Sequence, residues 1–467
     1  MGKKAVLFAF CFIILILALS VSVIADNELK KNINVLVCSF YTVSDSISQD
    51  QLVRFYQNGI SPAEDIQDLI ISRDSSSFLL KKWDKPASQH VVITTDQAIK
   101  IINSKKGTCG IIPFDKLEPD LKLISIDNNS PLDKNYSIDK DPLALEANEG
   151  TFDNFSSESI ASVLMTGTTA LTRLTAYKMQ VNGSIYPGLK IKPYFDNSDL
   201  RHISNEVSFW NLCPDAYATS STMQFCSKTY FLSLFDYLGI NVIELTGNHL
   251  RDYDWKPLTE TFELLDRKGF QFYGAGRTNK EAEKVLKFDI NGNKIAFLGC
   301  NAAGPDFDYI DEPLPGTLRC DYKALADKVR LLKNDGYLPI VTLQYFETYS
   351  RIPADHQIIN FQNLFDAGAV AVLGSQAHYS QIMKTEPNGF IHYGLGNMFF
   401  DQMDIPVVGT RQEFLDRLVF YRGKLIQVQL YTAMLEDYSQ PRPMTLDERK
   451  SFLTEIFKAA EKSKIIN

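Results

Sequence analysis

Two histidines stand where this sequence could do chemistry. His249 lies in Gly247-Asn-His-Leu-Arg-Asp-Tyr253, directly after the apolar run Gly239-Ile-Asn-Val-Ile-Glu-Leu-Thr246. His378 closes Gly374-Ser-Gln-Ala-His378, after a second apolar run from Ala369 to Leu373. An imidazole nitrogen beside an Asn carbonyl oxygen at a strand tip suits a metal ion or a phosphoryl oxygen, and open α/β sheets place ligands at such tips. Taken alone, Gly-Asn-His is an ordinary turn. Four further stretches occupy equivalent places: Gly167-Thr-Thr-Ala-Leu-Thr-Arg173, Asn205-Glu206, Gln344-Tyr-Phe-Glu-Thr-Tyr349 and Tyr393-Gly-Leu-Gly-Asn-Met-Phe-Phe-Asp401.

The elements that must position these groups read as an α/β pattern. Short β-branched runs predict strands at Ala161–Thr166, Gly239–Thr246, Asn293–Leu298, Pro339–Leu343, Ala369–Leu373 and Gly389–Tyr393. Helical periodicity predicts helices at Tyr230–Leu238 and Trp255–Lys268, the latter closed by Gly269. Arg417–Tyr421 and Lys424–Tyr431 predict a hairpin turning at Arg422-Gly423. Thr445-Leu-Asp-Glu448 is a capping box that opens a last helix to about Lys462. Upstream, strands at Asn32–Phe40, His90–Thr94, Gly110–Pro113 and Leu121–Ile126 alternate with helices at Ser48–Asn58 and Thr95–Ile102. That first region resembles one lobe of a periplasmic solute-binding protein. The boundaries expected are a targeting segment at 1–25, a small α/β domain at 30–145, a linker at 146–157, a larger domain at 158–435 and a C-terminal helix at 436–467.

Composition narrows the function class. The chain has 467 residues and a net charge of -8, enough for two or three domains and the wrong sign for a nucleic-acid partner. Lys3 and Lys4 precede an apolar run ending near Ala25. This is a signal peptide with Val23 and Ala25 at its cleavage site, or an uncleaved membrane anchor. Either places the remainder outside the cytoplasm, secreted or tethered. Beyond Cys11 in that run, six cysteines remain, an even number that suits disulfides. Proximity in the chain favours Cys213 with Cys226, Cys300 with Cys320 and Cys38 with Cys109. His202 and His356 are expected at the surface or in loops, and His392 packed within a strand.

The order and spacing of the six motifs resemble the CapA family of capsule or poly-γ-glutamate synthesis proteins, within the calcineurin-like metallophosphoesterase superfamily. The resemblance covers about residues 158–435. Gly167, Arg173, Asn205, Glu206, Asn248, His249, Asp252, Tyr253, Tyr349, Gly374, His378, Leu395, Gly396, Asn397 and Asp401 match its patterns. It implies a two-sheet sandwich flanked by helices, four layers in all, preceded here by the small α/β domain. It also implies His249, His378 and Asp252 as the catalytic set, with Asp252 orienting His249 or capping the following helix rather than touching substrate. Glu206, Asn248, His249 and His378 become the metal ligands, and Thr168, Arg173, Asn205, Gln344, Tyr349, Gln376 and Asn397 the substrate-binding residues. Four departures matter. Thr168 replaces an Asp, Gln344 and Gln376 each replace a His, and Thr348 replaces a Glu. A two-metal centre needs bridging anions and several imidazoles, and neutral Thr and Gln are poor transition-metal ligands. The expectation is therefore one divalent metal, Mn or Zn, or none, in a site that binds polymer or does weak one-metal chemistry. Glu347 beside the altered motif is the acid that could rescue the site. The alternative is an active metal-dependent hydrolase or transferase. The partners implied are a cell-surface polymer or its export machinery, and the membrane if the anchor is retained.

Overall fold

The structure, a computed structural model, describes residues 31–146, 153–463 and 465. The targeting segment and part of the linker lie outside the described residues. Two sheets face each other across the main core. The first is eight-stranded, with Ile160–Thr166, Leu200–Asn205, Val242–Glu244 and Gln271–Tyr273 running parallel. Gln412–Tyr421 and Lys424–Glu436 extend it as a long antiparallel hairpin. The second is six-stranded, with Asn293–Asn301, Leu338–Gln344, Ala371–Ser375 and Gly389–His392 parallel.

Alternation along each strand builds the layers. Ala161, Val163 and Met165 turn inward to meet Phe297, Ile340 and Leu373 of the opposing sheet. Leu164, Ile203 and Ile243 turn outward, against helices Arg173–Asn182, Ser233–Leu238 and Trp255–Lys268. Helices Tyr322–Asn334 and Asp355–Asp366 cover the other sheet's outer face. The result is the four-layer sandwich implied by the motifs. The C-terminal helix Leu446–Ser463 inserts Phe452, Leu453, Ile456 and Phe457 into the inter-sheet core.

Residues 31–146 form a separate seven-stranded sheet with its own helices. A strand at Asp68–Ser72 and a helix at Arg73–Trp83 were not legible in the sequence. Three consecutive serines, which favour caps and turns over helix interiors, obscure the apolar face carrying Leu79 and Trp83. This unit packs on the hairpin, with Ile33, Val35, Val37 and Leu123 against Val419, Tyr421 and Ile426. Gln427 bridges the seam, accepting from Leu123 N (3.1 Å) and donating to Leu121 O (2.9 Å).

Two buried histidines sit between the sheets. His392 pairs with Asp416 at 2.5 Å, both fully buried, as its strand position predicts. His202 is the correction. Expected at the surface or in a loop, it lies mid-strand, 1% exposed, with Nε2 3.0 Å from Tyr273 Oη and 3.3 Å from Glu244 Oε2. Its strand's alternation turns it inward, where Glu244 and Tyr273 meet its polarity. His356 is exposed, on the helix Asp355–Asp366.

Candidate functional site

Parallel strands of both sheets end on the same side of the sandwich, and their tips touch. Thr168 bridges to Asn397, and Gln376 N donates to Thr168 Oγ1 at 3.0 Å. The glycines permit this closeness. A Cβ on Gly167 would lie 2.1 Å from Gly396 O, and one on Gly247 2.4 Å from Glu206 Cα. Two site residues hold left-handed backbones without being glycine, Gln376 at φ 72° and Arg173 at φ 46°. Each costs about 1–3 kcal/mol and persists only where surroundings enforce it, as functional sites often do.

The centre of the cleft floor is Gln344. Its Nε2 donates to Asn248 Oδ1 at 2.9 Å and to Glu206 Oε1 at 3.3 Å, and also meets Gln376 Oε1. Its Oε1 accepts from Ser375 Oγ at 2.6 Å. Glu206, Gln344 and Gln376 are all buried. Asn205, also buried, donates to Val207 O. Among the described residues, Glu206 Oε2 and Asn205 Oδ1 have no protein donor.

One wall is aromatic and cationic. The Arg173 guanidinium stacks between Phe225 (5.1 Å) and Phe400 (4.7 Å) and pairs with Asp401 through Nε and Nη2. Its Nη1 faces the exposed Met223 Sδ at 3.8 Å. His249 lies on Phe225 at 4.3 Å and His378 on Phe400 at 5.0 Å. The two rings therefore join both histidines and Arg173 into one wall. The disulfide Cys213–Cys226 anchors the loop that supplies Met223 and Phe225. Sequence reasoning missed Phe225. The adjacent Cys226, tethered by its disulfide, was the available signal.

Each histidine is oriented from behind. His249 Nδ1–H donates to Asp252 Oδ2 at 2.6 Å. The same oxygen accepts from Phe225 N at 2.7 Å, tying the disulfide loop to the imidazole. Burial opposes charge on His249. The hydrogen bond to Asp252, with the fields of Glu206, Asp252 and Asp308, outweighs it and holds its pKa above the ordinary value. His378 Nδ1–H donates to Asn397 Oδ1 at 2.8 Å, and Asn397 is pinned through its own amide to His378 O and Thr410 O. Tyr349 stands further out, accepting from Gln402 and donating to Glu347 Oε1 at 2.6 Å. Glu347 is exposed, so it is not part of the floor. Asp308, which no motif marked, is buried beneath Arg251 N. Burial, reinforced by Asp252, pushes its carboxyl up to about 8.

These donors do not fit a two-cation centre. Among the described residues, no group of three or more His, Cys, Asp or Glu is placed to hold a metal ion. Glu206 is the single carboxylate on Gln344 Nε2, and Asn248 turns its oxygen to that same nitrogen.

Residues 162–402 match the family described as bacterial capsule synthesis protein PGA_cap. The chain belongs to that family. Among curated relatives of this PGA_cap chain, the capsule biosynthesis protein CapA of Bacillus anthracis is 25% identical over 47% of the chain and 55% of its own length. A probable polyglutamine synthesis accessory protein of Mycobacterium tuberculosis is 24% identical over 38% of the chain and 49% of its own length. The chain thus spans about half the length of the curated relatives it matches. A 5'-nucleotidase precursor from Thermus thermophilus aligns at TM-score 0.35 and 14% identity, covering 65% of this chain and 58% of that one.

Proposed function

We propose that this PGA_cap protein acts outside the cytoplasm in the synthesis or export of a cell-surface polymer, poly-γ-glutamate or a polysaccharide, by binding it in the cleft. The names of its relatives support the polymer. The pairs Cys38–Cys109, Cys213–Cys226 and Cys300–Cys320 support an oxidising compartment. The observation that carries the binding reading is the wall around Arg173. A guanidinium clamped by two rings and Asp401 keeps Nη1 toward the exposed edge of the cleft. It meets a carboxylate or hydroxyl without paying again for its own ordering. Of the three amides at this floor, Asn248 is partly exposed while Gln344 and Gln376 are buried, and an amide with both donor and acceptor suits a polyamide or glycan. Any export machinery would be the protein's partner through that polymer. A single divalent metal on Glu206, Asn248, His249 and His378 belongs to the weaker catalytic variant of this reading.

Calorimetric titration of the full chain with poly-γ-glutamate and with capsular polysaccharide tests it. Binding to one of them, weakened about tenfold by Arg173→Ala, is expected for a lost charged hydrogen bond. Binding to neither, or manganese-dependent turnover of a simple phosphodiester, overturns it in favour of a metal-dependent hydrolase or transferase.

A further inference from the structure

The hydrogen bonds around Gln344 have the form of a coordination shell. Three oxygens from three separate segments point at one nitrogen: Glu206 Oε1 at 3.3 Å, Asn248 Oδ1 at 2.9 Å, and Gln376 Oε1. A primary amide has only two hydrogens to offer three acceptors. Oxygens gather in this way around a hard cation. Which end of the amide faces them is set by Glu206, whose carboxylate can only accept, while Ser375 Oγ meets the other end at 2.6 Å. Glu206, Gln344, Ser375 and Gln376 are each 5% exposed or less, so bulk water does not compete. The segments are distant in sequence, 138, 96 and 32 residues from Gln344. One nitrogen therefore fastens four strand tips together.

We propose that the Gln344 amide is a built-in substitute for a metal cation, holding Glu206, Asn248 and Gln376 together so that the cleft is formed in the metal-free protein. The partial positive charge of the NH2 group faces the carboxylate that a cation would otherwise neutralise. This holds whichever polymer the cleft takes. It follows that one near-isosteric change reverses the chemistry. Gln344→Glu removes the donor and adds a carboxylate among the same oxygens, while an oxygen still faces Ser375. Two carboxylates and two amide oxygens make an all-oxygen set suited to Mn2+.

The full chain, its Gln344→Glu variant and a Gln344→Met control would be incubated with excess Mn2+, desalted and analysed for metal, then melted in EDTA and in Mn2+. The wild type should retain no stoichiometric metal and melt at the same temperature in both. Gln344→Glu should melt lower in EDTA, take up one equivalent, and rise by about 3 °C or more at Mn2+ a hundredfold above its dissociation constant. Gln344→Met should melt lower than wild type and ignore Mn2+. Stoichiometric metal in the wild type, with a melting temperature that falls in EDTA, overturns the proposal. So does a Gln344→Glu protein that melts like wild type and takes up no Mn2+. Should Gln344→Glu fail to fold, the wild-type metal content and the Gln344→Met melt decide.

Discussion

Removing Asp401 is the most informative single perturbation of the cleft wall. Its side chain is 6% exposed and that of Arg173 is 14% exposed, so the pair is buried rather than superficial. Asp401→Ala leaves the guanidinium without an anion, which costs about 3–5 kcal/mol for a buried pair broken on one side. The variant also loses the bond from Leu174 N to Asp401 Oδ2 at 3.1 Å, about 1 kcal/mol. The rings of Phe225 and Phe400 still hold the cation, at about 0.5–2 kcal/mol each, which limits the loss. The net expectation is about 3–5 kcal/mol in urea unfolding. Arg173→Leu alone strands Asp401 in turn, whereas Arg173→Leu combined with Asp401→Ala removes both charges and leaves an apolar contact between two rings. The double-mutant cycle should therefore show coupling of about 2–3 kcal/mol. Coupling below about 0.5 kcal/mol would mean the pair behaves as an exposed one, and the account of a clamped cation would fail.

Three further perturbations probe what lies behind that wall. Asp252→Asn should lower the His249 pKa toward 6.5, read by NMR titration. A histidine raised in the fold stabilises fully below the unfolded value and loses that contribution as pH rises through the folded one. The stability gap between wild type and variant should accordingly shrink with rising pH, and a gap that widens refutes the assignment. Replacing Cys213 and Cys226 by serine opens a link spanning 13 residues, worth about 3 kcal/mol in the chain-entropy model. It should also weaken polymer binding, because Phe225 N would no longer be held on Asp252; unchanged affinity would separate the loop from the site. Glu413 is fully buried, with no donor to either oxygen among the described residues, and burial raises its pKa well above the ordinary value. An acid raised in the fold loses stability as pH climbs above 4.5. Glu413→Gln should therefore stabilise by about 1–3 kcal/mol near neutral pH, with the gain vanishing toward the ordinary carboxyl value. A variant that melts lower at neutral pH counts against it.

The sequence by itself determined the local elements and the family. β-Branched runs, the helix start at Ser48, the capping box at Thr445 and glycine at helix ends are read from neighbours a few residues apart, so they survive without tertiary knowledge. The six strand-end motifs carried the sandwich and placed Glu206, Asn248, Gln344 and Gln376 at strand tips. That they share one site is implied by the motifs, but which atoms meet was decided only by the tertiary structure. Sheet order and register bring Gln344 onto Glu206 across 138 residues, and no local periodicity encodes which tips adjoin. The same holds for the rings of Phe225 and Phe400, between which the fold sets Arg173. It holds for His202, whose burial depends on Glu244 arriving from the neighbouring strand. Asp308 was invisible for a further reason: a carboxyl is raised by what surrounds it, and its surroundings, Arg251 and Asp252, are more than fifty residues away.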